Sequence, residues 1–96
     1  MKLLLAVTDS GAIPAFERAL REHGDQGFTV FPSVIGHGRS GLKMGDRVHP
    51  GRSSLLMTAV ADNDEASVVD LLKAIRDKQG VARETRIFAV PAVEVS

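Results

Sequence analysis

Segment 36–53, GHGRSGLKMGDRVHPGRS, concentrates what this chain can offer a ligand or a partner. It holds Gly36, Gly38, Gly41, Gly45 and Gly51, with the cations Arg39, Lys43, Arg47 and Arg52, and only Leu42, Met44 and Val48 to bury. So long a polar stretch in so small a chain is uncommon unless it is functional. The glycines leave the backbone free, and Lys43, Arg47 and Arg52 suit contact with an acidic partner protein. His37 and His49 are the candidate metal ligands, but two histidines on one loop are more often solvated, and no metal is expected. Catalysis is not expected either. No nucleophile stands beside a base, and no pair of carboxylates stands out on facing elements. The chain has no cysteine, which excludes disulfides, thiolate metal sites and thiol redox chemistry.

Composition bounds the rest. Ninety-six residues, 44% of them hydrophobic, make one domain over 1–96 with a core of its own. Twelve basic and twelve acidic residues cancel, so there is no general electrostatic footprint for nucleic acid or membrane surfaces. The apolar run 3–7 is too short for a signal-peptide core and meets Asp9 at once, and no run is long enough to span a bilayer. A cytoplasmic location fits these features.

The elements that must carry the loop follow from periodicity. Residues 3–8 form a continuous apolar run of strand length, as do 55–61, and such runs suit central strands buried on both faces. Ile13, Phe16 and Leu20 share one face of a helix whose first turn tolerates Pro14 and which stops near Gly24. Phe28, Val30 and Val34 alternate with Thr29, Phe31 and Ser33 in a strand over 27–35. Pro32 confines that strand to an edge or a bulge. Asp62 and Glu65 resemble a capping box opening a second helix, which turns Val68, Leu71, Leu72 and Ile75 inward and ends at Gly80. His23 closes the first helix, where a cation is favoured. Asp9 and Ser10 are accounted for by turn and capping chemistry. A fourth strand runs 86–90, and 93–95 suits a short terminal strand.

The order is β-α-β-β-α-β. Right-handed crossovers put the first and third strands in the middle of an antiparallel sheet, as their apolar runs require. The predicted fold is a ferredoxin-like α+β sandwich, with two helices on one face and a long loop between strands two and three. Two helices cover only one face of four strands. Leu3, Leu5 and Val7 oppose Leu4 and Ala6, and Leu55, Met57 and Ala59 oppose Leu56 and Val60, so both faces are apolar and the one the helices leave open predicts assembly with further copies of the chain.

Fold alone does not assign function. RNA-recognition modules need aromatic residues on the central strands, and KLLLAVT and SLLMTAVA have none. Residues 24–39, GDQGFTVFPSVIGHGR, do carry a specific pattern. They resemble the signature of the PII signalling family, with Gly24, Gly27, Thr29, Val30, Val34, Gly36, Gly38 and Arg39 all in place. The opening strand and helix and the Arg86-Ile87-Phe88 strand are similar too, so the likeness spans nearly the whole chain. It implies a homotrimer whose open sheet faces form a central core. It further implies an adenine nucleotide bound between subunits, with Thr29 near the base, Gly36, Gly38 and Arg39 near the phosphates, and Arg86 supplying positive charge. The 36–53 segment would be the T-loop, which contacts a target protein such as a membrane transporter or an enzyme.

This chain departs from the pattern in ways that bear on the ligand. Arg83-Glu84-Thr85-Arg86 stands where the family has a glycine-rich B-loop ending in Lys, which removes backbone donors for a triphosphate. Ser40 replaces the glutamine that helps hold Mg²⁺ and 2-oxoglutarate. The modified loop tyrosine is absent, as are C-terminal arginines. ADP or AMP, or another small anion, is therefore expected in preference to ATP with 2-oxoglutarate. The alternatives are a metal- or bicarbonate-responsive relative and an amino-acid-binding ACT-type module. For the latter, Asp9-Ser10-Gly11-Ala12-Ile13 would open the first helix, but the length of the 36–53 segment counts against it.

Overall fold

The computed structural model describes residues 1–24, 26–34, 53–78, 80 and 84–96. Four strands, β1 (Lys2–Asp9), β2 (Thr29–Val34), β3 (Ser53–Val60) and β4 (Arg86–Pro91), form one antiparallel sheet. Their order is β2-β3-β1-β4, so the two apolar runs are the two inner strands. Helices α1 (Ile13–Glu22) and α2 (Glu65–Lys78) both pack on one face. This is the ferredoxin-like α+β architecture.

The core lies between that face and the helices. Leu4, Ala6, Leu56 and Val60 of the sheet meet Ile13, Phe16 and Leu20 of α1 and Val68 and Leu72 of α2, all buried. Each large side chain so buried contributes about 1.5–3 kcal/mol. Leu71 and Ile75 sit at the margin of this core, half-buried.

The ends of α1 show how local sequence sets the geometry. Asp9 accepts from the Gly11 N–H at 2.7 Å and caps a 3-10 turn, Ser10–Ala12, that leads into the helix. At the other end the His23 N–H reaches the carbonyls of Ala19 and Leu20, and Gly24 takes φ +63°. That left-handed residue turns the chain so that the Gln26 N–H returns to the Leu20 carbonyl at 3.0 Å.

β2 lies at the sheet edge, and its register with β3 shifts between Phe31 and Val34. Pro32 and Ser33, at φ 55°, occupy that irregularity. The proline therefore has both features its missing N–H demands, an edge and a bulge.

Several boundaries differ from the sequence expectation. β2 begins at Thr29 and not at residue 27, because the ladder with β3 starts at the Thr29–Met57 pair. β3 starts at Ser53, which pairs with Asp9 and Val34, so the intervening segment is shorter by a residue at that end. Asp62 opens a 3-10 turn, Asp62–Asp64, and α2 begins at Glu65. No capping box forms, because both carboxylates are engaged across the fold. The Met1 ammonium donates to Asp62 Oδ1 at 2.6 Å, holding that carboxyl below its ordinary pKa, and Lys2 Nζ donates to Glu65 Oε1 at 3.2 Å. The terminal strand over 93–95 is absent. The Ala92 N–H makes the last link, to the Met1 carbonyl, and Val93 and Val95 stand in solvent.

Candidate functional site

The face of the sheet away from the helices is apolar and open. The strand registers put Thr29 and Phe31, Leu55, Met57 and Ala59, Leu3, Leu5 and Val7, and Arg86, Phe88 and Val90 on this one side. Val7, Phe31, Phe88 and Val90 are 37%, 44%, 49% and 40% exposed, values unusual for large hydrophobic residues gathered on one surface.

Both candidate site residues that the structure describes belong to this face, at its opposite edges. Thr29 opens β2 and lies level with Met57, Leu5 and Phe88. Arg86 opens β4 beside Val7, which is level with Leu55 and Phe31. Three strand spacings separate β2 from β4, about 14 Å. The two side chains do not meet within one chain. Gly36, His37, Gly38, Arg39, Lys43, Arg47, His49 and Arg52 lie outside the described residues. Among the described residues, no three His, Cys, Asp or Glu side chains gather as a metal site would require.

Beside Thr29 the surface dips into an open depression of about 310 Å³, lined by Leu3, Gln26, Gly27, Phe28, Thr29, Met57, Thr58 and Ala59. It forms where the backbone ladder between β2 and β3 has not yet begun. Side chains bridge the gap instead. Thr58, 2% exposed, donates to the Gly27 carbonyl. Gln26 Nε2 donates to Thr58 Oγ1 at 2.8 Å and to the Ala59 carbonyl at 2.7 Å. On the far wall, the Arg21 guanidinium sits 5.3 Å from the centre of the Phe28 ring.

A profile of the family described as "Nitrogen regulatory protein P-II" matches residues 1–96. The chain belongs to the P-II family. Comparison with curated proteins gave no significant match. Proteins of the P-II family are signalling regulators. Among the described residues no helix is long and apolar enough to cross a membrane.

Sequence reasoning missed two polar features that the P-II fold builds here. The first is the Gln26–Thr58–Gly27 bridge, since Gln26 occupies a variable position of the pattern that drew attention to Gly24 and Gly27. The second is a row of hydroxyls crossing the end of the sheet from which segment 35–52 emerges. Thr8 and Ser54 are cross-strand neighbours, Thr8 Oγ1 lies 2.7 Å from Thr85 Oγ1, and Ser54 Oγ lies 2.7 Å from Ser10 Oγ. Thr8, Ser54, Thr58 and Thr85 are all buried. Their signal was present in the sequence: Thr8, Ser54 and Thr58 fall at the inward positions of the apolar runs, where a hydroxyl must find a partner.

Proposed function

We propose that this chain is a cytoplasmic P-II-type sensor. It binds an adenine nucleotide, ADP or AMP, between copies of itself and reports to a target protein through segment 36–53. The placement of Thr29 and Arg86 supports this reading most directly. They share the open apolar face but sit at its two edges. Assembly through that face brings the Thr29 edge of one copy toward the Arg86 edge of the next. Proteins of this family form homotrimers, and a ring of three closes such edge-to-edge contacts without leaving one over.

The chemistry then divides between two chains. The depression beside Thr29 offers apolar walls for a base, with the Thr29 hydroxyl at its rim. Arg86 of the neighbouring copy supplies a guanidinium suited to phosphate geometry. Gly36 and Gly38, with Arg39, would approach the phosphates through backbone N–H groups and charge. Glu84 precedes Thr85 and Arg86, so this edge carries less positive charge than a triphosphate would require, which favours ADP or AMP over ATP. Signalling requires that the effector bind two states of the chain with different affinity, and the basic content of Lys43, Arg47 and Arg52 suits an acidic surface on the target.

Calorimetric titration with ADP, AMP and ATP tests the reading. Saturable binding near one per chain is expected, weakened roughly tenfold or more in Arg86→Ala through loss of a charge-assisted contact. No heat with any adenine nucleotide would overturn it and turn the search to bicarbonate, amino acids and metal ions.

A further inference from the structure

Among the side chains around the depression, Gln26 is the one whose orientation is dictated by its neighbours while its amide oxygen has no partner among the described residues. Thr58 Oγ1 gives its proton to the Gly27 carbonyl, so it can only accept from Gln26. The Ala59 carbonyl can only accept as well. Both bonds must therefore come from the Gln26 NH₂ group. Turning the amide over would set its oxygen against the Ala59 carbonyl and leave two acceptors facing each other. The direction of the amide is thus decided by the network, and Oε1 is left as a fixed acceptor. No described residue donates to it.

We propose that Gln26 is the specificity-determining residue of the base subsite, selecting a 6-amino purine over a 6-oxo purine. This rests on the nucleotide reading above. Of the other polar side chains lining the depression, Thr58 is committed to the bridge, and Thr29 keeps a hydroxyl that can donate or accept. Leu3, Phe28, Met57 and Ala59 provide apolar surface for the ring. The lining therefore includes one residue with a fixed acceptor, Gln26, and one with an adaptable hydroxyl, Thr29. An adenine edge matches it, with an exocyclic N–H donor next to a ring-nitrogen acceptor. A hypoxanthine or guanine edge places O6 where the amino group would be, oxygen against oxygen, and leaves the Gln26 carbonyl without a donor. A site built to bond a donor rejects an analogue that lacks it more strongly than an apolar pocket can.

ADP and IDP differ at this edge and nowhere else, which makes their affinity ratio the measurement. Wild-type protein should bind ADP at least about tenfold more tightly than IDP, the consequence of one desolvated acceptor left unpaired. Gln26→Ala should bring the ratio to near unity by weakening ADP while leaving IDP little changed. Thr58→Val removes one anchor, frees the amide to rotate and should lower the ratio partway, which a merely structural role would not do. If Gln26→Ala does not fold, Gln26→Met keeps the chain length and removes the amide. Equal affinities in the wild type, or an undiminished ratio in Gln26→Ala, would overturn the assignment and leave nucleotide binding standing. Binding of neither nucleotide would overturn both.

Discussion

The two faces of the sheet are made by the same strands from similar side chains, yet they meet different surroundings. On β1, Leu4 and Ala6 are fully buried under the helices, whereas Leu3 and Leu5 are half-buried and Val7 is exposed. On β3 the same alternation separates Leu56 and Val60 from Leu55 and Met57. One face is complete within a single chain. The other is as apolar and remains open, as the proposed assembly requires. A strand apolar on both sides therefore says that both faces will be covered, and the topology says which one the chain covers itself.

The sharpest way to break this comparison is to hollow out the covered face. Phe16 is fully buried at the centre of α1's apolar stripe. Phe16→Ala should cost about 3–5 kcal/mol, a large part of the stability of so small a domain. Chemical denaturation should show the loss at every protein concentration, because the contact is made within one chain. A loss that vanished at high concentration would contradict the self-contained core.

The open face should behave in the opposite manner. Leu5 lies mid-strand on β1, between Met57 and Phe88. In a lone chain, Lys at this position can extend its ammonium to water at little cost. In an assembly it buries an unpaired charge, and Leu5→Lys should weaken association by about 2 kcal/mol or more. Sedimentation should then show monomers at concentrations where the wild type is assembled, with unchanged far-ultraviolet dichroism. Retention of the wild-type mass would show that the open face is not the contact.

This contrast also explains what could be read from the sequence. The element order, the inner position of the two apolar runs and the edge position of the strand carrying Pro32 were legible, since each follows from a local pattern with one physical cause. That one apolar face would stay open was legible from the apolar runs, but which of the two it is was not, because both sides of each inner strand are apolar. Features created by distant partners were not. Asp62 looked like a helix cap, but the Met1 ammonium, 61 residues away in sequence, takes its carboxylate. Residues 93–95 alternate like a strand, yet pairing with β1 ends at Ala92. Thr29 and Arg86 are candidates from the family pattern, and their separation to opposite edges follows from the same strand order that the apolar runs predict. Gln26 had no signal, because its significance lies in Thr58 and Ala59, some thirty positions later.

A smaller effect sharpens the account of the covered face at its polar end. Thr8 and Thr85 are buried and share one hydrogen bond. Thr8→Val keeps the shape and leaves the Thr85 hydroxyl without that partner, at a cost of about 1–3 kcal/mol. Replacing both threonines by valine should recover much of that loss, because no orphaned hydroxyl remains. A double-mutant cycle in urea measures the coupling, and strict additivity would show that the pair contributes no interaction of its own.

The smallest expected effect belongs to neither face and calibrates the others. Gly24 ends α1 at φ +63°, and a Cβ built there would meet no atom within 4 Å. Gly24→Ala therefore removes no contact and creates no clash. Its cost is the left-handed backbone alone, about 1 kcal/mol. Thermal unfolding should shift down by a few degrees, equally at low and high concentration, with the ADP-to-IDP affinity ratio unchanged. A larger loss, or a changed ratio, would mean that the turn also positions Gln26 two residues later, through the bond from its N–H to the Leu20 carbonyl. The link between the helix end and the proposed base subsite would then be mechanical as well as sequential.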